Sequence, residues 1–335
     1  MEFALDGPRY RSGLFVWLLL ISVAACSCPT SSLHTRGPAA ASIADLWWLL
    51  TALAGVVFVA VIVFLLPTLR QRGDIGADQR RQRVFLWAAI GASAVILTIA
   101  FVASERTMAA LHRAPNADDL TIKVKAWQWW WEITYDVPGS TDTVVSANEI
   151  HIPTGRRVWL ELTTGDVIHS FWVPALQGKT DLVPGRTNRT WLQADQPGVS
   201  PGPCAEYCGV QHAHMTLLVV AHTPAEFAAW LARERLSAPP PQDSLRVAGA
   251  ATFASAGCAY CHMVRGTASL GKLGPDLTHF ASRRMLAAGT LENSPRHLAT
   301  WLANPQRVKP GTRMPAVPLN GREFAAVVAY VGALR

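Results

Sequence analysis

Two apolar runs, residues 43–66 and 84–103, each hold about the twenty residues that a helix needs to cross a bilayer core. Between them lies RQRGDIGADQRRQR (70–83), which sets Arg70, Arg72, Arg80, Arg81 and Arg83 against only Asp74 and Asp78. A short arginine-rich loop between two spans is retained on the cytoplasmic side. The pattern predicts a transmembrane hairpin, spans 43–66 and 84–103, that places everything after it on the outer face. It also accounts for the main basic run, so the net charge of +7 does not call for nucleic acid as a partner. A composition that is 50% apolar and only 16% charged, with 13 tryptophans, fits a membrane-associated protein.

Upstream, residues 13–25 follow Arg9 and Arg11 and are too short to span. They read as the core of a signal peptide covering 1–25, which leaves 26–42 outside the membrane. The run ends in Val23, Ala24, Ala25 and Cys26, small residues before a cysteine, as in a bacterial lipoprotein processing site. A lipid anchor at Cys26 and an ordinary signal peptide with an incidental cysteine both stay open. Cys28 has no assignment.

From residue 120 the periodicity changes. Segments 120–125, 144–150, 158–162 and 217–220 are short, rich in Val, Ile and Thr, and bounded by Gly, Pro and Asn. This predicts an all-β sandwich over 120–236. A helix over 224–235 follows Thr223 as N-cap, with Glu226 three residues on, a capping-box pattern. SAPPPQDS then supplies a proline-rich linker, 237–245. Residues 246–335 predict a separate, mostly α domain, with helices over 245–256 and 322–334. Met285 falls in a stretch that reads as helical packing.

CAEYCGVQHAHM (204–215) concentrates two cysteines, two histidines, a glutamate and a methionine in one loop. One Cys, two His and a weak Met make a single-copper electron-transfer site, with Cys, His and Met drawn from one tight loop. Cys208, His212 and Met215 supply that set. The second thiol, Cys204, allows two thiolates to bridge two metals, with His169 in DVIHSFWVP and a loop carbonyl as the further donors. Soft thiolate and imidazole donors favour copper over magnesium or calcium. A Cys204–Cys208 disulfide and a zinc site that includes His212 are the competing readings.

The arrangement resembles subunit II of the haem-copper cytochrome c oxidases, which carry a binuclear CuA centre. AWQWWWEITY (126–135), DVIHSFWVPALQGKTDLVPGRTN (166–188) and CAEYCGVQHAHM stand in that family's order, after two spans. The resemblance implies a cupredoxin-like domain with CuA on His169, Cys204, Cys208, His212, Met215 and the Glu206 carbonyl. It implies that the Glu206 side chain reaches Mg or Mn at the subunit I interface, and that Trp129 admits electrons. Trp127, Trp130 and Trp131 read as interface packing, and His151, His214 and His222 as structural. One departure is the absence of a carboxylate around Val84, where the family carries a proton-entry glutamate; the first one in this region is Glu105.

GCAYCH (257–262) is a C-x-x-C-H sequence, the c-type haem attachment pattern. Cys258 and Cys261 would form the thioethers and His262 would bind iron. A thioredoxin-like pair would need a βαβ setting that the pattern does not supply. Met314, in KPGTRMPAV, resembles the distal ligand of class I cytochromes c, and LGPDL (273–277) fits the same family.

Together these readings imply an electron-input subunit of a terminal oxidase fused to its own cytochrome c. Its partners would be subunits I and III, an upstream respiratory donor and membrane lipid, with the redox domains on the periplasmic face. A CuA-bearing subunit of a nitric oxide reductase and a free-standing tethered carrier are the alternatives. Residues 120–235 carry nine Lys and Arg against eleven Asp and Glu (−2); residues 246–335 carry eleven against three (+8). Opposite charge predicts that the two domains dock.

Overall fold

The computed structural model describes residues 30–70, 79–112, 119–136 and 143–335. The signal-peptide reading, Cys26, Cys28 and residues 71–78 of the arginine-rich loop lie outside them.

Helices α1 (Pro38–Arg70) and α2 (Gln79–Leu111) each continue past their apolar runs. The stretches apolar enough to cross a membrane are Pro38–Leu66 and Gln79–Leu111, and neither buries its apolar window inside the protein. Phe58, Phe64, Trp87, Leu97 and Phe101 project outward, a surface that only lipid or another membrane chain would cover. The two helices touch through Phe64 and Phe85, whose rings meet edge-on at 5.3 Å.

The next region is a β-sandwich. Ten strands run β1 (Leu120–Trp127), β2 (Trp130–Asp136), β3 (Thr143–Ala147), β4 (Glu149–Pro153), β5 (Val158–Thr164), β6 (His169–Phe171), β7 (Thr180–Leu182), β8 (Asn188–Leu192), β9 (Gly198–Pro203) and β10 (Thr216–His222). One sheet has the order β3-β2-β1-β5-β8, the other β4-β10-β9, with β6-β7 as a separate pair. β1 lies parallel to β5 and β10 parallel to β4; the other pairs are antiparallel. Alternate residues of β1 and β2 face the core. Ile122 and Val124 of β1, Trp131, Ile133 and Tyr135 of β2, and Ile150 and Ile152 of β4 are all fully buried. Each such aliphatic side chain contributes about 1.5–3 kcal/mol relative to exposure.

Residues 144–150, expected as one strand, are two. Asn148 breaks the run with φ 62°, a conformation its short polar side chain tolerates. Its Oδ1 accepts the Trp131 N–H at 2.9 Å and its own N–H donates to the Trp131 carbonyl at 2.9 Å. The chain thereby crosses from one sheet to the other at this residue. Helix α3 (Pro224–Glu234) starts on the Thr223–Glu226 capping box, and its Phe227 and Trp230 join the core of the sandwich, Trp230 edge-on to Tyr135.

After residues 237–242, which form no regular element, come α4 (Ser244–Ser255), α5 (Cys258–Cys261), α6 (Pro295–Ala303), α7 (Pro305–Val308) and α8 (Gly321–Val331). α4 crosses α8 at Gly249, where a Cβ would lie 2.1 Å from the Ala326 carbonyl oxygen. Phe253, Val264, Phe280, Leu298, Val327, Tyr330 and Val331 form a second core around that crossing. Met285 is not helical: Met285–Leu286 pairs with Leu291–Glu292 as a two-residue ladder. The Arg284 and Met285 amides both donate to the Glu149 carboxylate of β4, and Ala287 and Ala288 are left-handed, so no helix can run through.

Candidate metal and haem centres

β6 delivers His169 to the interior, and the loop between β9 and β10 brings the thiols to it. His169, Cys204 and Cys208 are buried, with their ligand atoms within 4.8 Å of one another. Cys204 Sγ lies 3.8 Å from Cys208 Sγ, 3.9 Å from His169 Nδ1 and 3.3 Å from the Glu206 carbonyl oxygen. Cys208 Sγ lies 3.7 Å from His212 Nδ1 and 3.9 Å from Met215 Sδ. At 3.8 Å the sulfurs are not bonded to each other, and both cysteines are free. Sulfur and nitrogen ligands at about 2.3 and 2.0 Å from one tetrahedral ion sit about 3.5–3.8 Å apart. His169, Cys204 and Cys208 are thus close to the spacing of ligands that could hold a metal ion.

All six atoms expected from the sequence are brought together, each beside one of two central thiols. The loop is held from both ends: the Cys204 amide donates to the Met215 carbonyl at 2.9 Å, and the Ala205 amide to the Ser170 carbonyl at 3.0 Å. The Glu206 carbonyl turns inward, while its carboxylate stays half exposed, 3.8 Å from Lys179 Nζ.

Asp166 is a residue that the sequence did not single out. Its Oδ1 accepts from His169 Nε2 at 2.9 Å, which aims Nδ1 at the thiols. It also accepts the Gln128 amide at 2.7 Å and the Val167 amide at 2.8 Å. Burial opposes its charge, yet the bonds from His169, Gln128 and Val167 hold its carboxyl below the usual range. Burial likewise works against a charged His169, and Cys204 and Asp166 together raise it. The thiol of Cys204 is drawn down to about 3, first by the Cys208 thiol and then, against burial, by His169. The same contact pushes Cys208 up, because two adjacent thiols do not both readily carry charge.

The tryptophans divide. Trp127 and Trp130 stack at 6.4 Å, half-buried. Trp131, expected at an interface, is instead core, because β2 turns it inward against His169 and Phe171. Trp129 is 8% exposed, and its Nε1 donates to the Cys208 carbonyl at 3.0 Å beside Gln128 Nε2 at 2.8 Å. His151 and His222 bond to each other at 2.8 Å, with His151 stacked on Trp230, away from the thiols. His214 Nδ1 bonds Gln211 Oε1 at 2.7 Å.

In the C-terminal region Cys258 and Cys261 begin and end α5, and His262 caps it in extended conformation. His262 Nδ1 meets the Pro275 carbonyl at 2.8 Å, which fixes the ring and leaves Nε2 unengaged by that bond. Gly274 lies against the ring: a Cβ there would come 2.7 Å from His262 Cε1. Burial lowers the His262 pKa, which favours the neutral, metal-binding imidazole. Met314 is half-buried in the segment between α7 and α8, its carbonyl accepting from Gln306 Nε2 at 3.0 Å.

The two cores abut. Gln211 Nε2 donates to the Pro310 carbonyl at 2.7 Å, the Thr216 amide to the Ala288 carbonyl at 2.9 Å, and Arg313 lies 3.7 Å from Asp166. Docking is thus made mainly through hydrogen bonds, and among the described residues the expected charge complementarity supplies the pair of exposed Arg313 with Asp166.

Fold and sites define a membrane-anchored, cupredoxin-like metal domain joined to a cytochrome c domain. A family model described as cytochrome c oxidase subunit II, periplasmic domain, matches residues 137–222, and a cytochrome c model matches 247–335. Cytochrome c oxidase subunit 2 of Alkalihalophilus pseudofirmus is 35% identical over 319 residues, 91% of this chain and 91% of its own. That of Bacillus subtilis is 28% identical over 353 residues, 96% and 97% of the two chains. The solved periplasmic domain of subunit II of cytochrome oxidase from Bradyrhizobium japonicum has 34% identity, covering 36% of this chain and 96% of its own, with a TM-score of 0.34. The chain belongs to the cytochrome c oxidase subunit II family, in a form that carries its own cytochrome c domain. It is an electron-transfer subunit of a haem-copper respiratory oxidase, anchored in the inner membrane with its domains in the periplasm.

Proposed function

We propose that this chain holds binuclear CuA and one covalent haem c and passes electrons from the second to the first. The observation that carries the copper assignment is the ring of donors, His169, Glu206 carbonyl, His212 and Met215, around Cys204 and Cys208. When bound, the copper pair and the haem supply one-electron redox chemistry; the chain supplies ligands, orientation and exclusion of water. Cys258 and Cys261 attach the haem, His262 and Met314 bind its iron, and Trp129 spans from the haem domain to the Cys208 carbonyl. The outward Glu206 carboxylate reaches Mg or Mn at the interface with subunit I, and subunits I and III cover the exposed faces of α1 and α2. Electrons arrive from an upstream respiratory donor and leave for subunit I, where oxygen is reduced to water with proton translocation. The corresponding division is signal peptide 1–25, outer segment 26–42, hairpin 43–103, copper domain 120–236, linker 237–245 and haem domain 246–335.

The test is metal and haem analysis of the purified complex, with electron paramagnetic resonance of the oxidised form. Two coppers on this chain sharing one unpaired electron, and one haem resistant to acid–acetone extraction, are expected. A single copper, or zinc, in the thiolate site would overturn the assignment.

A further inference from the structure

One buried charge is used by neither centre. Lys309 is 2% exposed, and it stands where the two cores meet. Its Nζ donates to the carbonyls of His214 at 2.6 Å, Trp129 at 2.8 Å and Ala287 at 3.0 Å. Three acceptors match the three N–H donors of an ammonium; a neutral amine has two. Burial draws its pKa down to about 7, while the nearby Cys208 raises it. All three partners are backbone carbonyls, two from the β-sandwich and one from the haem domain.

A charge taken out of water is costly unless it is fully hydrogen-bonded. Lys309 finds its partners only when the domains are together. A haem domain that merely swung on its linker would leave such a lysine in solvent. Its neighbours point the same way. Ala287, which supplies one carbonyl, and Ala288, which accepts from Thr216, are consecutive left-handed alanines, a conformation kept only where surroundings enforce it. Pro310, next along the chain, receives Gln211, and a Cβ on Gly311 would come 3.6 Å from the Trp129 ring. The run from Lys309 to Gly311 is therefore laid against Trp129, whose indole N–H reaches the Cys208 carbonyl.

We propose that Lys309 is a positioning residue: its ammonium, clamped by the carbonyls of Trp129, His214 and Ala287, fixes the distal haem loop on Trp129 and so sets one haem-to-copper separation within each chain. This rests on the cofactor reading above. With both cofactors bound, one electron would pass from ferrous haem to the oxidised copper pair; no bond would form or break, and the step asks no proton of Lys309.

The experiment uses the full chain in its native complex, comparing wild type with Lys309→Met, which keeps the length but removes charge and donors. Two readouts are taken, after haem and copper contents are checked. Hydrogen exchange of peptides covering 214–217 and 284–288 should accelerate about tenfold or more, while the β1–β5 ladder is unchanged. Flash-induced haem oxidation should slow about tenfold and become dependent on salt, whereas a clamped wild-type interface is indifferent to it. A role confined to folding would not create salt dependence. If Lys309→Met loses a cofactor, Lys309→Gln, which retains two N–H donors, carries the same measurements. Exchange and rate both within about twofold of wild type, with cofactors intact, overturn the clamp and leave the cofactor reading standing. Absence of the shared-electron copper signal from the wild type overturns both.

Discussion

Replacing Asp166 with asparagine isolates the orientation of His169 from its identity. The wild-type carboxylate is 11% exposed and accepts three N–H bonds, from His169, Gln128 and Val167, at 2.7–2.9 Å. Asparagine keeps the shape, loses the charge and turns an NH2 toward one of those donors. A hydrogen bond to a charged group contributes about 1.5–3 kcal/mol, and a neutral one about 0.5–1.5. The His169 link should therefore weaken by about 1–2 kcal/mol, or about five- to thirty-fold in copper affinity. That falls around the range expected when a partner behind a ligating histidine is lost. Competition against a copper chelator on the purified chain measures it, with Glu161→Gln as control. Glu161 pairs with an exposed Arg189, far from the thiols, and should shift the affinity by less than about twofold. An Asp166→Asn affinity within about twofold of wild type would refute the reasoning and leave packing against Trp131 to orient the ring.

Cys204→Ser removes the thiolate that touches both His169 and Cys208; the expected product holds one copper on Cys208, His212 and Met215, with a mononuclear resonance spectrum, and two retained coppers would contradict it. Met314→Ala should keep haem covalently attached through Cys258 and Cys261 while its reduction potential falls, since a thioether ligand raises it; an unchanged midpoint in redox titration assigns the distal position to another residue. The Glu226 carboxylate accepts from the Thr223 hydroxyl at 2.8 Å and backbone at 3.0 Å, which lowers its pKa below 4.5. A depressed folded pKa gives stability that is present above the unfolded value and lost as pH falls through the folded one. Melting of wild type should therefore drop more steeply below pH 4.5 than that of Glu226→Gln, and parallel slopes would count against the capping box.

The parts that were legible in sequence are those whose chemistry is contiguous. Cys204 to Met215 and Cys258 to His262 close their geometry within one loop or turn, and the two spans announce themselves by length. His169 is 35 residues from Cys204; the two-thiolate loop calls for a distant imidazole, and family likeness is what raises this one above an ordinary core histidine. Asp166, three residues before it, had no local pattern to mark it. Lys309 meets Trp129 across 180 residues, so nothing near it in the chain distinguishes it from a solvated lysine. Trp131 could have been read correctly: Trp131, Ile133 and Tyr135 alternate at period two, a strand signal masked by the surrounding tryptophans. Asn148 and the left-handed alanines at 287 and 288 defeated the local readings for one reason. Asn148 is held by Trp131, Ala288 by Thr216 and Ala287 by Lys309, partners that no short window of sequence contains.

On the account given above, one chain carries the electron from haem c to copper, across the contact made by Trp129 with Lys309 and Gly311. Flash oxidation of the fully reduced complex, followed at the haem c absorption band over a range of protein concentrations, tests it directly. A single haem oxidation rate independent of concentration is the expected result. A rate that rises in proportion to concentration would mean that each haem domain serves a neighbouring molecule, and would contradict the intrachain route.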